Sequence, residues 1–205
     1  MDRPVLLLAT GNAGKVRELR QLLAGVPFEL ATPADLGLRL EVEEDGQTYH
    51  ENALKKATAY AAAAGLPALA DDSGLEVDVL DGRPGVHSAR YVGQAASDGD
   101  RIGALLAELR GVPPERRTAR FRAVIAVAAP DGRRWTAEGT VEGVIAQEPR
   151  GRSGFGYDPI FLLPELGRTM AELPAEEKNR VSHRARAAAG ARRILEELAR
   201  EGGGR

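Results

Sequence analysis

Two adjacent carboxylates, Asp71 and Asp72, follow a short apolar run and precede Ser73 and Gly74. Acidic oxygens beside a glycine suit a Mg2+ site, because hard cations take oxygen ligands and complete their shell with water or substrate phosphate. Since side chains alternate along a strand, we expect one carboxylate to face solvent or metal while the other anchors a glycine turn. An Asx-type turn, whose carboxylates only bond backbone amides, is the alternative interpretation.

A glycine loop near the N-terminus has the residue types of an anion-binding site. The apolar run 5–9 ends at Thr10-Gly-Asn-Ala-Gly-Lys15, after which apolar residues recur at helical spacing. Strand, loop and helix in this order present N–H groups and the positive end of a helix dipole to an anion, and Lys15 adds a charge. Val16 stands where a Walker A loop has Ser or Thr, which excludes that motif. An ordinary strand-to-helix turn with a solvated lysine is the alternative.

Aromatic and polar residues near the C-terminus have the character of a base-binding site. Phe155 lies between two glycines, so the backbone can approach a flat ligand while the ring offers a face to a base. A buried turn with core aromatics is the alternative. Further on, Lys178, His183 and Arg184 precede a helix predicted over 186–200, and polar side chains at a helix start suit an oxygen-bearing ligand.

The elements that position these residues alternate between strand and helix, which predicts an α/β fold. Strands are predicted at 5–9, at 28–30 and in the short run from Leu69 that ends at Asp71 and Asp72, with an alternating segment up to Val79 after the glycine turn. Helices are predicted after Lys15, over 49–64 behind a Thr48/Glu51 capping box, and over 97–109. Segments 118–129 and 134–145 predict an antiparallel hairpin and therefore a mixed sheet. The acidic segment 41–45 is either a solvated face or the source of one more metal ligand.

Composition limits the classes of function. The 205 residues, 43% hydrophobic and 28% charged, fit one domain over 1–205 with a glycine-rich tail at 201–205. A net charge of -2 argues against a nucleic-acid partner, and the lack of cysteine leaves only oxygen or histidine as metal ligands. No apolar stretch is long enough for a signal sequence or a membrane span, so we expect a cytoplasmic protein. Lysine occurs only at 15, 55, 56 and 178, which makes each lysine a candidate site residue.

Several stretches together resemble one family, the inosine triphosphate pyrophosphatases, also called non-standard purine nucleoside triphosphate pyrophosphatases. The resemblance is to a bacterial-type member, covers nearly the whole chain, and rests on the order and spacing of these stretches: Ala9-Thr-Gly-Asn-Ala-Gly-Lys15, Glu51-Asn-Ala53, Ala70-Asp-Asp-Ser-Gly-Leu75, Ser88-Ala-Arg-Tyr91, Ser153-Gly-Phe-Gly-Tyr-Asp-Pro159, Glu176-Glu-Lys178 and Ser182-His-Arg184.

The resemblance implies Mg2+-dependent hydrolysis of a nucleoside triphosphate between the α- and β-phosphorus, which yields the monophosphate and pyrophosphate. The implied substrates are deaminated purine nucleotides, ITP, dITP and XTP, whose removal protects the nucleotide pool. The family resemblance also implies a homodimer and an elongated, curved mixed β-sheet with flanking helices that form two lobes around a central cleft.

The resemblance further implies roles for single residues. Asp72 is the essential carboxylate, which either binds Mg2+ or acts as the base that activates water. Glu44 is the best candidate for a second Mg2+ ligand. Residues expected to contact the triphosphate are Thr10, Gly11, Asn12, Ala13, Gly14, Lys15 and Ser73. Residues expected around the base are Phe155 as the stacking ring, Gly156, Tyr157 and Asp158 as its wall, and Lys178, His183 and Arg184 at its edge.

Other functions remain open from the sequence. A phosphotransferase is disfavoured by the missing Walker A hydroxyl, and the related septum-associated pyrophosphatases, which prefer modified pyrimidines, by the intact stretches 153–159 and 182–184. A nucleotide-binding module that senses without turnover would keep the same pocket, although retention of both Asp71 and Asp72 argues for chemistry.

Overall fold

The computed structural model describes residues 3–202, whose seven strands form one mixed sheet. The strands are β1 Val5–Leu8, β2 Glu29–Ala31, β3 Ala68–Val77, β4 Thr118–Ala128, β5 Arg134–Ile145, β6 Phe161–Leu163 and β7 Arg168–Thr169, in the order β2-β1-β3-β4-β5-β6-β7. The helices are α1 Ala13–Leu22, α2 Tyr49–Ala64, α3 Asp98–Glu108, α4 Ala175–Val181 and α5 His183–Gly202. β1 runs parallel to β2 and β3, whereas β6 is antiparallel to β5 and β7. The predicted α/β class with a mixed sheet and flanking helices is confirmed.

The described residues divide into two compact units. The first comprises 3–72, 123–139 and 184–202, and the second comprises 73–122 and 140–183. Whether the chain is a single functional domain, as expected for 1–205, stays a prediction. None of the helices within residues 3–202 combines the length and the apolar character needed to cross a membrane.

The first unit packs α1 and α5 around the buried strands β1 and β4. Leu6, Leu19 and Leu195 lie in this core with no exposed surface. Local caps set the helix ends: the Thr48 hydroxyl accepts the Glu51 N–H at the start of α2, and Gly65 ends that helix in the left-handed conformation. The Glu51 carboxylate accepts the N–H of Gln47, so the capping box predicted here is only half formed.

The second unit has its own apolar core, in which α3 packs with the aromatic residues of β4 and β6. Leu75, Leu105 and Phe161 are fully buried there. α3 begins with a complete capping box formed by Ser97 and Asp100, as the sequence predicts for this helix start.

β3 corrects the expectation of a glycine turn after the carboxylates. The strand runs unbroken from Ala68 to Val77, so Asp71 and Asp72 lie in its middle and Gly74 continues it, while Val79 lies in a short 3-10 turn. β3 sits between β1 and β4, and this segment is almost entirely buried. Buried backbone groups need hydrogen-bond partners, and pairing on both sides satisfies them better than a turn would.

The C-terminal helix begins earlier than predicted. α5 starts at His183, so His183 and Arg184 form its first turn, and Lys178 lies on the separate helix α4. Ser182 has an extended backbone, φ -69° and ψ 157°, which ends one helix and allows the next to begin. The predicted tail is corrected at Glu201 and Gly202, which belong to α5, and its remainder at 203–205 lies outside the described residues.

Candidate active site

Asp71 is the buried centre of an ion network in the first unit. Its side chain has no exposed surface and receives two bonds from Arg184, Nε to Oδ2 at 3.0 Å and Nη2 to Oδ1 at 3.2 Å. The Lys15 ammonium lies 2.7 Å from Oδ1, and Arg184 Nη1 also donates to Glu18 at 2.6 Å. Burial opposes ionisation, but Arg184 and Lys15 outweigh it and hold the pKa of Asp71 well below its usual range. Asp71 is therefore an anionic anchor for two cations.

Two lysine ammonium groups converge on the main-chain oxygen of Asp71. Lys15 Nζ donates to it at 3.1 Å and Lys56 Nζ at 3.0 Å. Burial lowers the pKa of Lys15 despite the nearby carboxylate of Asp71. For Lys56, the carboxylates of Asp72 and Glu44 outweigh the effect of burial and raise its pKa. Two cations this close together repel each other, which favours an anionic ligand beside them.

Asp72 differs from its neighbour in having an unbonded carboxylate oxygen. Oδ1 lies 3.5 Å from the Lys56 ammonium, whereas Oδ2 is buried and has no hydrogen-bond partner within residues 3–202. Burial raises the pKa of Asp72, with a further contribution from Glu44, although Lys56 and Lys15 act in the opposite direction. An unbonded buried oxygen is costly, so its presence marks a position for a ligand or a proton.

Contacts with α2 hold the acidic segment 41–45 near Asp72. The side chain of Asn52, fully buried on that helix, accepts the Gly46 N–H at 2.9 Å, and Lys55 pairs with Asp45 at 2.5 Å. A β-carbon at Gly46 would lie 2.7 Å from the Asn52 amide oxygen, so only glycine allows this approach. These contacts bring Glu44 within 2.8 Å of the Lys56 ammonium, which also faces Asp72.

Asp72 and Glu44 fit a Mg2+ ion that retains water or phosphate oxygens. Among residues 3–202 there is no group of three or more His, Asp or Glu side chains able to hold a metal by themselves. Mg2+ does not require one, because it commonly binds through one or two carboxylates and a substrate phosphate. The network holds three cations, Lys15, Lys56 and Arg184, against four carboxylates, Glu18, Glu44, Asp71 and Asp72. This balance attracts a polyanion only together with a divalent cation.

The glycine loop before α1 is ordered by its own side chains. Thr10 Oγ1 accepts the Asn12 N–H at 3.1 Å, and Asn12 Oδ1 caps the helix by accepting the Lys15 N–H at 3.0 Å. Helix geometry leaves the N–H groups of Ala13 and Gly14 without a carbonyl partner inside α1. The loop therefore has the donors of an anion site, with Asn12 acting as the cap.

The glycine-flanked ring of Phe155 is held by an ion pair in the second unit. Asp158 Oδ2 accepts the Phe155 N–H at 2.9 Å and the Lys178 ammonium at 2.5 Å. The same ammonium lies over the Phe155 ring, 5.2 Å from its centroid. Gly154 has φ +78°, and a β-carbon there would overlap the Asp158 carboxylate. The Lys178 ammonium thus takes part in both the ion pair and the contact with the ring.

Tyr157 and His183 are buried residues that support this loop. The Tyr157 hydroxyl donates to the Ser88 main-chain oxygen at 3.2 Å, and burial raises its pKa. The His183 ring stacks on Phe121 with centroids 4.6 Å apart and an interplanar angle of 17°. Their packing keeps the polar and aromatic groups of the second unit in defined positions.

The structure groups the predicted residues into two sets. The first unit brings together Lys15, Asp72 and Glu44 with the loop 10–14, and the second brings together the loop 155–158 and Lys178. Ser73 follows Asp72 in β3 and is half-buried. Arg184, expected at the base edge, has its guanidinium bound to carboxylates of Asp71 and Glu18 in the first unit.

Sequence reasoning assigned no role to Glu18, and it named Lys56 only as one of the four lysines without giving it a role. Lys56 carried a usable signal, because it lies at helical spacing with Asn52, Ala53 and Ala57 on the buried face of α2. A charge within an otherwise small and apolar stripe needs a partner. Glu18 carried no such signal, since its partner Arg184 is 166 residues away.

A family model matches most of the chain. The Ham1 family model covers residues 6–194, which include both sets of site residues. The chain belongs to the Ham1 family. Ham1 proteins of known structure have the same fold: a HAM1 protein from Coxiella burnetii superposes with a TM-score of 0.85 at 41% identity, covering 95% of this chain and 99% of that one. The Ham1 protein of Staphylococcus aureus gives 0.83 at 39% identity, covering 94% and 98%.

Curated relatives are similar over nearly their full length. The dITP/XTP pyrophosphatase of Geobacter sulfurreducens is 58% identical over 184 residues, 90% of this chain and 92% of the relative. The dITP/XTP pyrophosphatase of Bacillus subtilis is 48% identical over 190 residues, 93% of this chain and 96% of the relative.

Proposed function

We propose that this Ham1-family chain hydrolyses deaminated purine nucleoside triphosphates, ITP, dITP and XTP, to the monophosphate and pyrophosphate. The observation that supports this most directly is the unbonded Oδ2 of Asp72 beside Lys15, Lys56 and Glu44. The names of the dITP/XTP pyrophosphatases to which it is similar support the same choice of substrate.

The residues of the first unit would bind the phosphates and assist attack at the α-phosphorus. The amides of Ala13 and Gly14, with Lys15 and Lys56, offer donors and charge to the triphosphate. Asp72 and Glu44 would hold Mg2+, which when bound neutralises phosphate charge and acts as a Lewis acid. The raised pKa and unbonded Oδ2 of Asp72 also suit that oxygen to accept a proton from the attacking water.

The residues of the second unit would bind the base. The purine would stack on Phe155, the glycine-flanked ring that Asp158 and Lys178 hold in place. Lys178 and His183, with Arg184 as the resemblance implies, would offer donors to a 6-oxo group. The 6-amino group of adenine is itself a donor, so in ATP it would face these donors instead of accepting a hydrogen bond from them. Guanine shares the 6-oxo group, so its rejection depends on its 2-amino group, where xanthine has an acceptor. The bonds of Arg184 to Asp71 give it a second role in orienting Lys15.

Three further features stay predictions. They are Mg2+ as the metal used, a homodimer as the assembly, and the cytoplasm as the location. The contact of Ser73 with the substrate is likewise a prediction, which the resemblance implies.

The decisive experiment measures which phosphate product is released and from which nucleotide. We expect pyrophosphate from ITP and XTP in the presence of Mg2+, none with a chelator, and a kcat/KM well above that for GTP, ATP and dUTP. Tight binding of ITP without product would instead indicate a sensing module. Orthophosphate release or a preference for the pyrimidine would reject the proposal.

A further inference from the structure

Residues 154–158, which we call the base loop because they include the proposed stacking ring, are bonded to helix α3 through one carboxylate. Asp98 Oδ2 accepts the Gly156 N–H at 2.7 Å, a contact between residues 58 positions apart in the chain. Phe155, the preceding residue, donates its N–H to Asp158 at 2.9 Å. The N–H groups of two consecutive residues at the stacking ring therefore each donate a hydrogen bond to a carboxylate. Bonds from N–H groups to ionised acceptors are among the stronger ones in proteins.

Asp98 is oriented for this contact by Arg101 and is not the cap of its own helix. Ser97 and Asp100 form the capping box of α3. Asp98 Oδ1 accepts from Arg101 Nη1 at 2.8 Å, which directs Oδ2 to Gly156. The Arg101 side chain is largely buried, with 14% of its surface exposed. As an acid in the first turn, Asp98 also interacts favourably with the helix dipole, so its contact with Gly156 is an additional one.

The loop needs external fixation because its backbone is unusual. Gly154 and Gly156 have φ of +78° and +61°, a region that glycine enters easily and leaves easily. Asp158 restrains one side of Phe155 from within the loop, whereas Asp98 restrains the other from a rigid helix. Without the second restraint, the Gly156 amide would lose its bond to α3, and the contacts with Asp158 and Lys178 would remain.

We propose that Asp98 is a positioning residue for the base site, acting through the Gly156 amide to fix the plane of Phe155. This inference rests on the proposed function, since it assumes that Phe155 stacks on the purine. The carboxylate itself need not touch the nucleotide. Its effect belongs to base binding and not to the phosphate end.

The test compares Asp98→Ala, Asp98→Asn and Asp100→Asn. Removing the acceptor in Asp98→Ala should raise KM for ITP and XTP about tenfold with little change in kcat, as expected for one charged hydrogen bond. Asp98→Asn keeps an acceptor oxygen and should recover part of the loss. Asp100→Asn removes a charge from the same helix turn and weakens the capping box, so it should lower thermal stability while leaving KM unchanged. The inhibition constant of inorganic tripolyphosphate, which carries no base, should be the same in all variants.

Amide exchange gives a second readout that needs no turnover. In Asp98→Ala, the Gly156 amide should lose protection in NMR hydrogen exchange, whereas in Asp100→Asn it should keep it. An unchanged KM in Asp98→Ala, an equal rise in Asp100→Asn, or unchanged Gly156 exchange would each overturn the inference. A wild-type chain that turns over no purine nucleotide would reject the proposed function, and the exchange measurement would still decide whether Asp98 holds the loop.

Discussion

Two neighbouring carboxylates in one strand have opposite electrostatic roles. Asp71 and Asp72 are both buried, yet the pKa of the first is lowered and that of the second is raised. The difference comes from the cations: Arg184 and Lys15 contact Asp71 directly, whereas Lys56 lies 3.5 Å from Asp72 and is shared with Glu44. Titratable groups whose environments separate their pKa values are a common basis for dividing structural and chemical duties.

Replacing Asp71 with Asn should destabilise the fold. The change leaves Arg184 and Lys15 buried without their main counter-charge, and breaking a buried ion pair on one side typically costs about 3–5 kcal/mol. Because the folded-state pKa of Asp71 lies below the ordinary aspartate value of 3.8, the unfolded chain binds more protons than the folded chain between the two pKa values. The contribution to the free energy of unfolding is therefore complete above the unfolded pKa and is lost as pH falls below it.

Denaturant unfolding of the wild type and Asp71→Asn from acid to neutral pH checks this, with Asp72→Asn as the matched control. Burial disfavours the charge of Asp72, so the neutral amide should leave the free energy of unfolding at neutral pH unchanged or higher while abolishing turnover. A stable Asp71→Asn chain, or an active and folded Asp72→Asn chain, would contradict the assigned roles.

At the scale of elements, each set of site residues depends on a glycine at which a β-carbon would overlap a neighbouring side chain. Gly46 allows the acidic segment to approach Asn52 on α2, which positions Glu44. Gly154 lets the base loop approach the Asp158 and Lys178 pair. The helices contribute rigidity, and the glycines allow the loops to reach them. Function in this fold thus depends on helix surfaces as much as on strand ends.

The two positive-φ glycines of the base loop should respond differently to alanine. In Gly154→Ala, the new β-carbon would overlap the Asp158 carboxylate and lie 3.0 Å from the Lys178 ammonium, so the ion pair must move. In Gly156→Ala, no atom lies within 4 Å of the new carbon, and only the left-handed backbone costs free energy, about 1–2 kcal/mol. Thermal and denaturant unfolding should therefore show a larger loss for Gly154→Ala. Equal losses of stability in the two variants would mean that the Asp158–Lys178 ion pair can move without lowering the free energy of unfolding.

At the scale of the whole molecule, acidic and basic residues are nearly equal in number, 30 against 28. The chain has a net charge of -2 and a pI near 6.0 although 24 of its residues are arginine. Many arginines are paired on the surface, as Arg120 is with Asp78 and Glu142. The cations of the first unit are likewise matched by carboxylates. A small phosphate ligand with its own divalent cation suits such a protein better than a long polyanion.

We therefore expect no appreciable binding to nucleic acid. Non-specific binding depends on neutralising several phosphates and releasing their counterions, and it falls steeply with salt. At physiological salt, fluorescence anisotropy with a labelled DNA duplex or single-stranded RNA should give a dissociation constant weaker than about 10⁻⁴ M. The matched measurement is binding of ITP in the same buffer with Mg2+. Tight, salt-dependent binding to the duplex would show that a basic surface has been overlooked.

Sequence by itself determined the elements whose signals are local. The cap at Thr48 and the stop at Gly65 set α2, and the apolar runs on both sides of 130–133 set the strands β4 and β5. It also determined the stretches that carry the chemistry, because residue types and spacing indicate an anion loop, paired carboxylates and a glycine-flanked ring.

Tertiary structure alone decided how those stretches are joined. Burial between two strands made β3 continuous where the sequence suggested a turn. Arg184 bonds Asp71 across 113 residues, and Asp98 reaches the base loop across 58. Such contacts depend on the order of strands in the sheet and on helix packing, which bring distant segments together, whereas periodicity and capping report only on near neighbours in the chain.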